Sequence, residues 1–296
     1  MNSQFIHRAK IEGSRKPVLN DSPALLFPWW SVTKTVIATC ALQLIAQGRL
    51  TLDEALPSHT YTLGQLLQYR AGVPNYGKPA RYHEAVRWGE QPWTVDDLFE
   101  RVDVEKRDFD PDEGWAYSNV GCLFVRQIIE KTVDDDIGAA IQTLVFDPLD
   151  IHSAPLAIEP SDLDDIAWGN KGRYHSGWVY HGLLVSTALD SVRFLKGLML
   201  GQLLPLQLLN IMKTGHSINR TWPDRQWEQA GYGLGLMTGT MSEVGRTFGR
   251  SGVGPHSVSA VYNFPDCRPP CTVAAFNESN DQGHDEWAVV RLATQN

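Results

Sequence analysis

The chain has 296 residues, 43% of them hydrophobic and 20% charged, which suits one large soluble globular unit or two intimately connected subdomains with a sizeable core and excludes a disordered protein. Its formal net charge is −8 and no Lys/Arg cluster stands out, which argues against a nucleic-acid groove or an anionic membrane surface and leaves a small molecule as the default partner. Four cysteines (Cys40, Cys122, Cys267, Cys271) are too few for a disulfide framework and lack the Cys/His company of a zinc site, so neither a metal nor another cofactor is expected.

In chain order, the start Met1 to Arg8 lacks the apolar core of a signal peptide and no segment is long enough for a transmembrane helix, so the chain reads as cytoplasmic. One strand is expected near Gln4 to Ile11, followed by turn formers. Phe27 to Lys34 and the apolar run to Leu50 then read as a reactive serine opening a buried helix. Val32, Val36, Cys40 and Leu44 form one helical row, Ile37, Ala41 and Ile45 the next, and Gly48 supplies the stop. Ser31 falls at the N-terminus of that helix, where free N–H groups and the dipole favour a developing anion, and Lys34 shares its face one turn on. A desolvated lysine there can take the serine's proton. Taken alone, the pair serves equally as an N-cap and a snorkelling lysine.

Thr62 to Tyr69 has helical spacing ended at Gly72, whereas residues 75–94 show no periodicity and read as a long loop over a pocket. Thr94 with Asp97 marks a capped helix start. The turn Asp110-Pro111-Asp112-Glu113-Gly114 delivers Trp115 to Asn119 just before the periodic run Val120 to Ile129. Tyr117 and Asn119, two apart in an extended segment, point to one side and can enter one cavity; the structural alternative makes Asn119 an N-cap and Tyr117 a core aromatic. Helices are expected at about 136–146 and 187–200, the second capped by Ser186 or Thr187, and the middle of the chain reads as mostly helical. From about 231 the texture becomes β: Tyr232 to Leu236, Thr247 to Arg250, Ser257 to Phe264 and Thr272 to Phe276 are short runs between turn formers, with a closing helix over Asp285 to Thr294. Within them, Gly249 to Gly254 sets small residues beside Arg250 and Ser251, suited to a carboxylate or polarised carbonyl, although glycines in a strand also mark simple bends.

Taken together, Ser31-Val32-Thr33-Lys34, Tyr117-Ser118-Asn119 and Arg250-Ser251-Gly252 resemble, in order and approximate spacing, the motifs of the serine β-lactamase and penicillin-binding-protein superfamily, nearest to class C β-lactamases and their esterase and D-aminopeptidase relatives. Ala41 to Asp53, Leu63 to Pro74, Phe146 to Leu149 and Gly182 to Thr187 also look like segments of that family. The resemblance implies an α+β fold of β-lactamase/transpeptidase type: an antiparallel sheet flanked by helices, with an inserted mostly helical region. As one domain, its α/β part would comprise about 1–50 and 231–296 and the helical insertion about 51–230. It also implies that Ser31 is the acylated nucleophile and that Lys34 and Tyr117 are its proton-transfer partners. Asn119 would bind a substrate amide and steady Lys34, and the N–H groups of Ser31 and Val253 would form the oxyanion hole.

Three features depart from the family pattern. Arg250 stands where Lys or His is usual and cannot give up a proton in water, so it serves only as an anchor alongside Ser251. Trp30 stands where glycine is common. Few residues precede the nucleophile, so the first sheet strands are expected to be short or missing. The expected activity is that of a serine hydrolase cleaving a small ester, amide or peptide, with weak or absent β-lactamase action; the alternative is a catalytically vestigial binding or assembly protein on the same fold.

Overall fold

The structure, a computed structural model, describes residues 5–152, 154–218, 222 and 224–295. It begins with β1 (His7–Glu12), β2 (Val18–Leu19) and β3 (Leu26–Pro28), then enters α1 (Val32–Ala46). Residues 32–42 of α1 are all buried, so this helix has no solvent face and its three threonines need internal partners. Thr35 Oγ1 donates to the Gly235 carbonyl at 2.8 Å and Thr39 Oγ1 to the Thr35 carbonyl at 2.8 Å, while Thr33 Oγ1 accepts the Leu184 N–H at 3.1 Å. After the helix, Gly48 takes a φ of +70°, which glycine adopts without steric cost.

Next come α2 (Leu63–Leu67), α3 (Ala80–Arg87), α4 (Val95–Val102), α5 (Asn119–Val133) and α6 (Ile137–Ile141). Several starts follow from side-chain capping. Thr62 and Gln65 exchange reciprocal bonds at α2, Thr94 accepts the Asp97 N–H at α4, and Ser118 Oγ accepts the Gly121 N–H at 2.9 Å while donating to the Pro74 carbonyl at 2.7 Å. Helices α1, α2, α5 and α6 pack on one another. The chain continues through β4 (Leu156–Ala157), β5 (Leu183–Thr187), α7 (Ala188–Met199), α8 (Leu206–Lys213), β6 (His216–Ser217), β7 (Trp227–Tyr232), β8 (Met237–Met241), β9 (Gly245–Gly254), β10 (Ser257–Phe264), β11 (Cys271–Asn277) and α9 (Gln282–Thr294).

Eight strands from both ends of the chain form one antiparallel sheet in the order β2-β1-β11-β10-β9-β8-β7-β6, and β3, β5 and β4 form a small second sheet. Every residue of β11, and every residue of β10 except the half-buried Asn263, is buried, because both faces of the large sheet are covered. Val261, Ala274 and Phe276 join the core that holds α1 and α7; Tyr262, Phe264, Val273 and Ala275 join the core under α9. This period-two division is what a strand sandwiched between helices requires. The expected antiparallel sheet flanked by helices is therefore present.

The elements differ from expectation in four places. Residues 75–94 contain α3, whose amphipathic pattern rests on a single fully buried residue, Ala85, and so left little periodic signal. The mostly helical middle contains β5, a fully buried strand whose apolar run has no alternation to distinguish it from helix. The run Tyr232 to Leu236 is the end of β7 and a turn: the Gly233 N–H meets the Leu236 carbonyl at 2.8 Å and Gly235 takes a φ of +70°. Of the first sheet strands, none is missing: β1 pairs along all six of its residues with β11, whereas β2 is short, with two residues; the part of the expected strand before Phe5 lies outside the described residues.

The glycines of β9 set how near the sheet comes to α1. A Cβ on Gly252 would stand 2.7 Å from the Ser31 nitrogen, and one on Gly254 would stand 2.3 Å from the Trp30 ring. Gly254→Ala is therefore expected to cost about 1–3 kcal/mol by overpacking, seen as a lower thermal midpoint. Gly121→Ala, where a Cβ makes only ordinary contacts from 3.6 Å, should be near neutral in the same melt.

Candidate active site

Ser31 is the N-cap of α1, but its hydroxyl makes no capping bond and is free for other partners. Its Oγ lies 2.8 Å from Tyr117 Oη and accepts from Lys34 Nζ at 3.2 Å. Tyr117 arrives on the extended segment that Ser118 ties to Pro74, so the capping of α5 also fixes the phenol opposite α1. Lys34 is 2% exposed, and its ammonium lies 5.3 Å from the centre of the Tyr117 ring.

The residue before Ser31 has an unusual backbone. Trp30 takes a φ of +46°, which costs a bulky side chain energy and which a glycine adopts freely. The indole is held by a bond from Nε1 to Ser257 Oγ at 2.9 Å, by edge contact with Tyr174 and by the bare Gly254 backbone. These contacts hold a left-handed turn that presents Ser31 to the cavity.

Arg250 is 2% exposed and has no carboxylate partner among the described residues. Nη2 donates to Tyr69 Oη at 2.9 Å and Nη1 to the Gly235 carbonyl at 3.3 Å, while Nε has no partner. The guanidinium lies 5.2–5.8 Å from the centres of three rings, Tyr232, Tyr117 and Tyr69. Burial opposes its charge, but the facing phenols Tyr69 and Tyr117 outweigh that, and it stays protonated.

These charges set the acidity of the phenol. Burial by itself pushes the Tyr117 phenol up, but the Lys34 ammonium and the Arg250 guanidinium outweigh it and bring it down to about 8. Desolvation likewise pushes the Lys34 amine down. Lys34 and Tyr117 titrate as a unit, and the permanent charge of Arg250 favours the arrangement in which Tyr117 has given up its proton.

Of the other expected site residues, Asn119 is the first residue of α5 and lines the cavity, its backbone N–H donating to Asn75 Oδ1 at 3.2 Å. It makes no hydrogen bond to Lys34. That place is taken by His181, which the sequence reading missed: Nε2 lies 2.8 Å from Lys34 Nζ, and Nδ1 lies 3.4 Å from Tyr76 Oη. Desolvation, Lys34, Arg250 and Arg126 together hold this imidazole well below its usual pKa, so it is neutral, and an ammonium donating to Nε2 places the ring proton on Nδ1. Only its position beside the Gly182 to Thr187 segment could have drawn notice in the sequence.

Ser251 is committed elsewhere: its hydroxyl lies 2.7 Å from Tyr262 Oη and donates to Glu286 Oε1 at 2.6 Å. Glu286 is fully buried on α9 and also accepts from Arg225 Nε at 2.8 Å and Trp227 Nε1 at 3.2 Å. Val253 is 47% exposed at the cavity edge. Ser31, Lys34, Tyr117, Asn119, Arg250, Ser251 and Val253 thus all border one cavity of about 640 Å³.

A serine at a helix start, with a buried lysine and a tyrosine on its hydroxyl and a strand running past it, is the arrangement of a serine hydrolase of the β-lactamase-related type. The chain belongs to the β-lactamase family, whose profile matches residues 15–295. Penicillin-binding protein 4* of Bacillus subtilis (strain 168) is 26% identical over 180 residues, a match that covers 55% of this chain and 37% of that protein. Among solved structures, D-amino acid amidase from Ochrobactrum anthropi SV3 superposes with a TM-score of 0.82 at 20% identity, covering 97% of this chain and 94% of the other. A D-stereospecific amidohydrolase from Streptomyces sp. gives 0.78 at 22% identity over 98% and 93%, and the octameric penicillin-binding protein homologue from Pyrococcus abyssi gives 0.78 at 20% over 98% and 74%. These likenesses establish the shared fold. No helix among the described residues is long and apolar enough to cross a membrane.

The depressed phenol is directly measurable. One tyrosine should ionise with a midpoint near 8 in an ultraviolet difference titration, two units below an ordinary phenol at about 10. That step should vanish in Tyr117→Phe and move to higher pH in Arg250→Met.

Proposed function

We propose that the protein hydrolyses a small ester or amide, of the esterase or D-amino-acid-peptidase type, through an acyl-enzyme on Ser31. The observation that carries this reading is the placing of Ser31 Oγ 2.8 Å from Tyr117 Oη and 3.2 Å from Lys34 Nζ, all three residues lining the cavity. Ser31 Oγ attacks the carbonyl carbon and its proton passes to the Lys34–Tyr117 pair. The tetrahedral oxyanion faces the N–H groups of Ser31 and Val253. Collapse breaks the bond to the leaving group, which takes the proton from the pair, and a water activated by the same pair then hydrolyses the ester on Ser31. Asn119 borders the cavity where a substrate amide would lie, and Arg250 acts as a fixed charge that keeps Tyr117 acidic. The names of the structural neighbours favour amide cleavage over β-lactam cleavage. An assembly protein with a vestigial pocket would have no use for an intact Ser31, Lys34 and Tyr117 group.

Ser31→Ala should lower turnover by roughly a thousandfold or more with little loss of stability, and intact mass during turnover should show one acyl adduct on the wild type only. Full activity in Ser31→Ala would end this reading. Lys34→Ala and Tyr117→Phe should each remove most of the rate and their combination little more, because they share one proton; additive losses would assign them separate tasks.

His181 gives a prediction with a definite sign. Replacing it by Leu removes the acceptor of the Lys34 ammonium, which destabilises the protonated amine and lets the pair lose its proton at lower pH. The kcat/KM profile should shift down by about one pH unit, and His181→Gln, which retains an acceptor, should restore part of the shift. An unmoved profile would reduce His181 to a packing role.

A further inference from the structure

A second cavity, of about 340 Å³, lies between β1 and α9 and shares no lining residue with the one around Ser31. Arg8 reaches it from β1, where it stands opposite Ala275 of β11 and so shares the sheet face that packs under α9. His284, Trp287, Ala288 and Arg291, three and four apart on α9, supply the other wall, with Ile6 adding apolar surface. Among the described residues lining it there is no aspartate or glutamate. Other cations of the surface have acids against them: Arg81 has Glu90, Arg126 has Glu130 and Arg246 has Asp266. Lys10, two residues along the same face from Arg8, is held by Glu12 and by the Gln295 carbonyl. Arg8 and Arg291 have no carboxylate partner among the described residues, and Arg8 Nε is shut off from water without an acceptor. A donor in that state is costly, and an oxygen of a ligand would satisfy it.

The remaining groups add donors and apolar surface without adding negative charge. His284 Nδ1 accepts from Asn277 Nδ2 at 2.8 Å, which leaves the ring proton on Nε2 as a further donor. Asp285, whose Oδ1 lies 3.7 Å from that ring, is fully buried; burial and the nearby Glu286 push its carboxyl up to about 8, so near neutrality it is mostly the uncharged acid. Trp287 is 43% exposed, and the Arg291 guanidinium lies 5.8 Å from the centre of its ring. We propose that this cavity is a second binding site, for a small phosphate monoester with an aromatic or apolar body. Two guanidinium forks, one from β1 and one from α9, can share the three oxygens of a phosphoryl group, more than a single carboxylate offers. The indole, Ile6 and Ala288 receive the carbon part. The site is independent of the chemistry at Ser31.

The test is calorimetric titration of the full chain with phenyl phosphate, inorganic phosphate and phenylacetate at constant ionic strength. Phenyl phosphate should bind with a Kd of about 1 mM or tighter, and phenylacetate, with fewer oxygens and less charge, about tenfold more weakly. Arg8→Gln and Arg291→Gln should each weaken phenyl phosphate about tenfold or more, the loss expected for one charge-assisted hydrogen bond. Trp287→Leu should bring its affinity down toward that of inorganic phosphate. Arg291 is exposed, so its replacement should leave the thermal midpoint at the wild-type value and gives a result even if Arg8→Gln fails to fold. Arg250→Met should leave the affinity unchanged, because that guanidinium borders the other cavity. Loss of binding in Arg250→Met with none in Arg291→Gln would move the anion to the cavity around Ser31 and overturn the proposal. Absence of heat with phenyl phosphate in the millimolar range, or phenylacetate binding as tightly as phenyl phosphate, would overturn it as well.

Discussion

Two cations, Lys34 and Arg250, are buried to 2% exposure with phenols rather than carboxylates for company, and the site depends on that constraint. A charge removed from water without an opposite charge is costly unless a neighbour responds, and the group able to respond is Tyr117, whose phenol is drawn down to about 8. Tyr69 and the Gly235 carbonyl satisfy part of the guanidinium. The consequence is a serine hydroxyl in contact with a phenol near its own ionisation point at neutral pH.

That cluster can exist only because α1 is buried on all sides. A helix with one solvent face would let Lys34 turn outward; here the buried threonines satisfy one another and their neighbours, and the lysine stem has no route to water. The glycines of β9 then allow the sheet to approach the first turn of α1 to backbone contact, and Trp30 closes the gap from the other side in a left-handed conformation that its hydrogen bond and ring contacts stabilise. The departure from glycine at Trp30 is thus accommodated by packing, and the backbone shape that a glycine would give is retained.

The wall of the cavity is tied to the C-terminal helix through Glu286, which gathers Ser251, Tyr262, Arg225 and Trp227 onto one fully buried carboxylate. Ser251 therefore belongs as much to the sheet–α9 packing as to the cavity. The same carboxylate neutralises Arg225, so of the three cationic side chains among the described residues lining the cavity, Lys34 and Arg250 are the two without a carboxylate partner.

The sequence alone determined the parts governed by local rules. The spacing of Ser31 and Lys34 on a helix start, the extended delivery of Tyr117 just before a helix, the helix starts at Thr62, Thr94 and Thr187, and the strand-rich C-terminal part all follow from periodicity and capping, which depend on neighbours a few residues away, although Asn119 is the first residue of α5 and not part of the extended segment. Only the tertiary structure decided what lies across the cavity from them. His181 is 147 positions from Lys34, Tyr69 is 181 from Arg250 and Glu286 is 35 from Ser251, and no periodicity links residues so far apart. The buried strand β5 and the helix α3 escaped for the related reason that their burial comes from distant partners and not from an alternating pattern of their own. Sequence fixes which groups a segment can offer and to which side; desolvation and long-range packing decide which charges meet and what protons they hold.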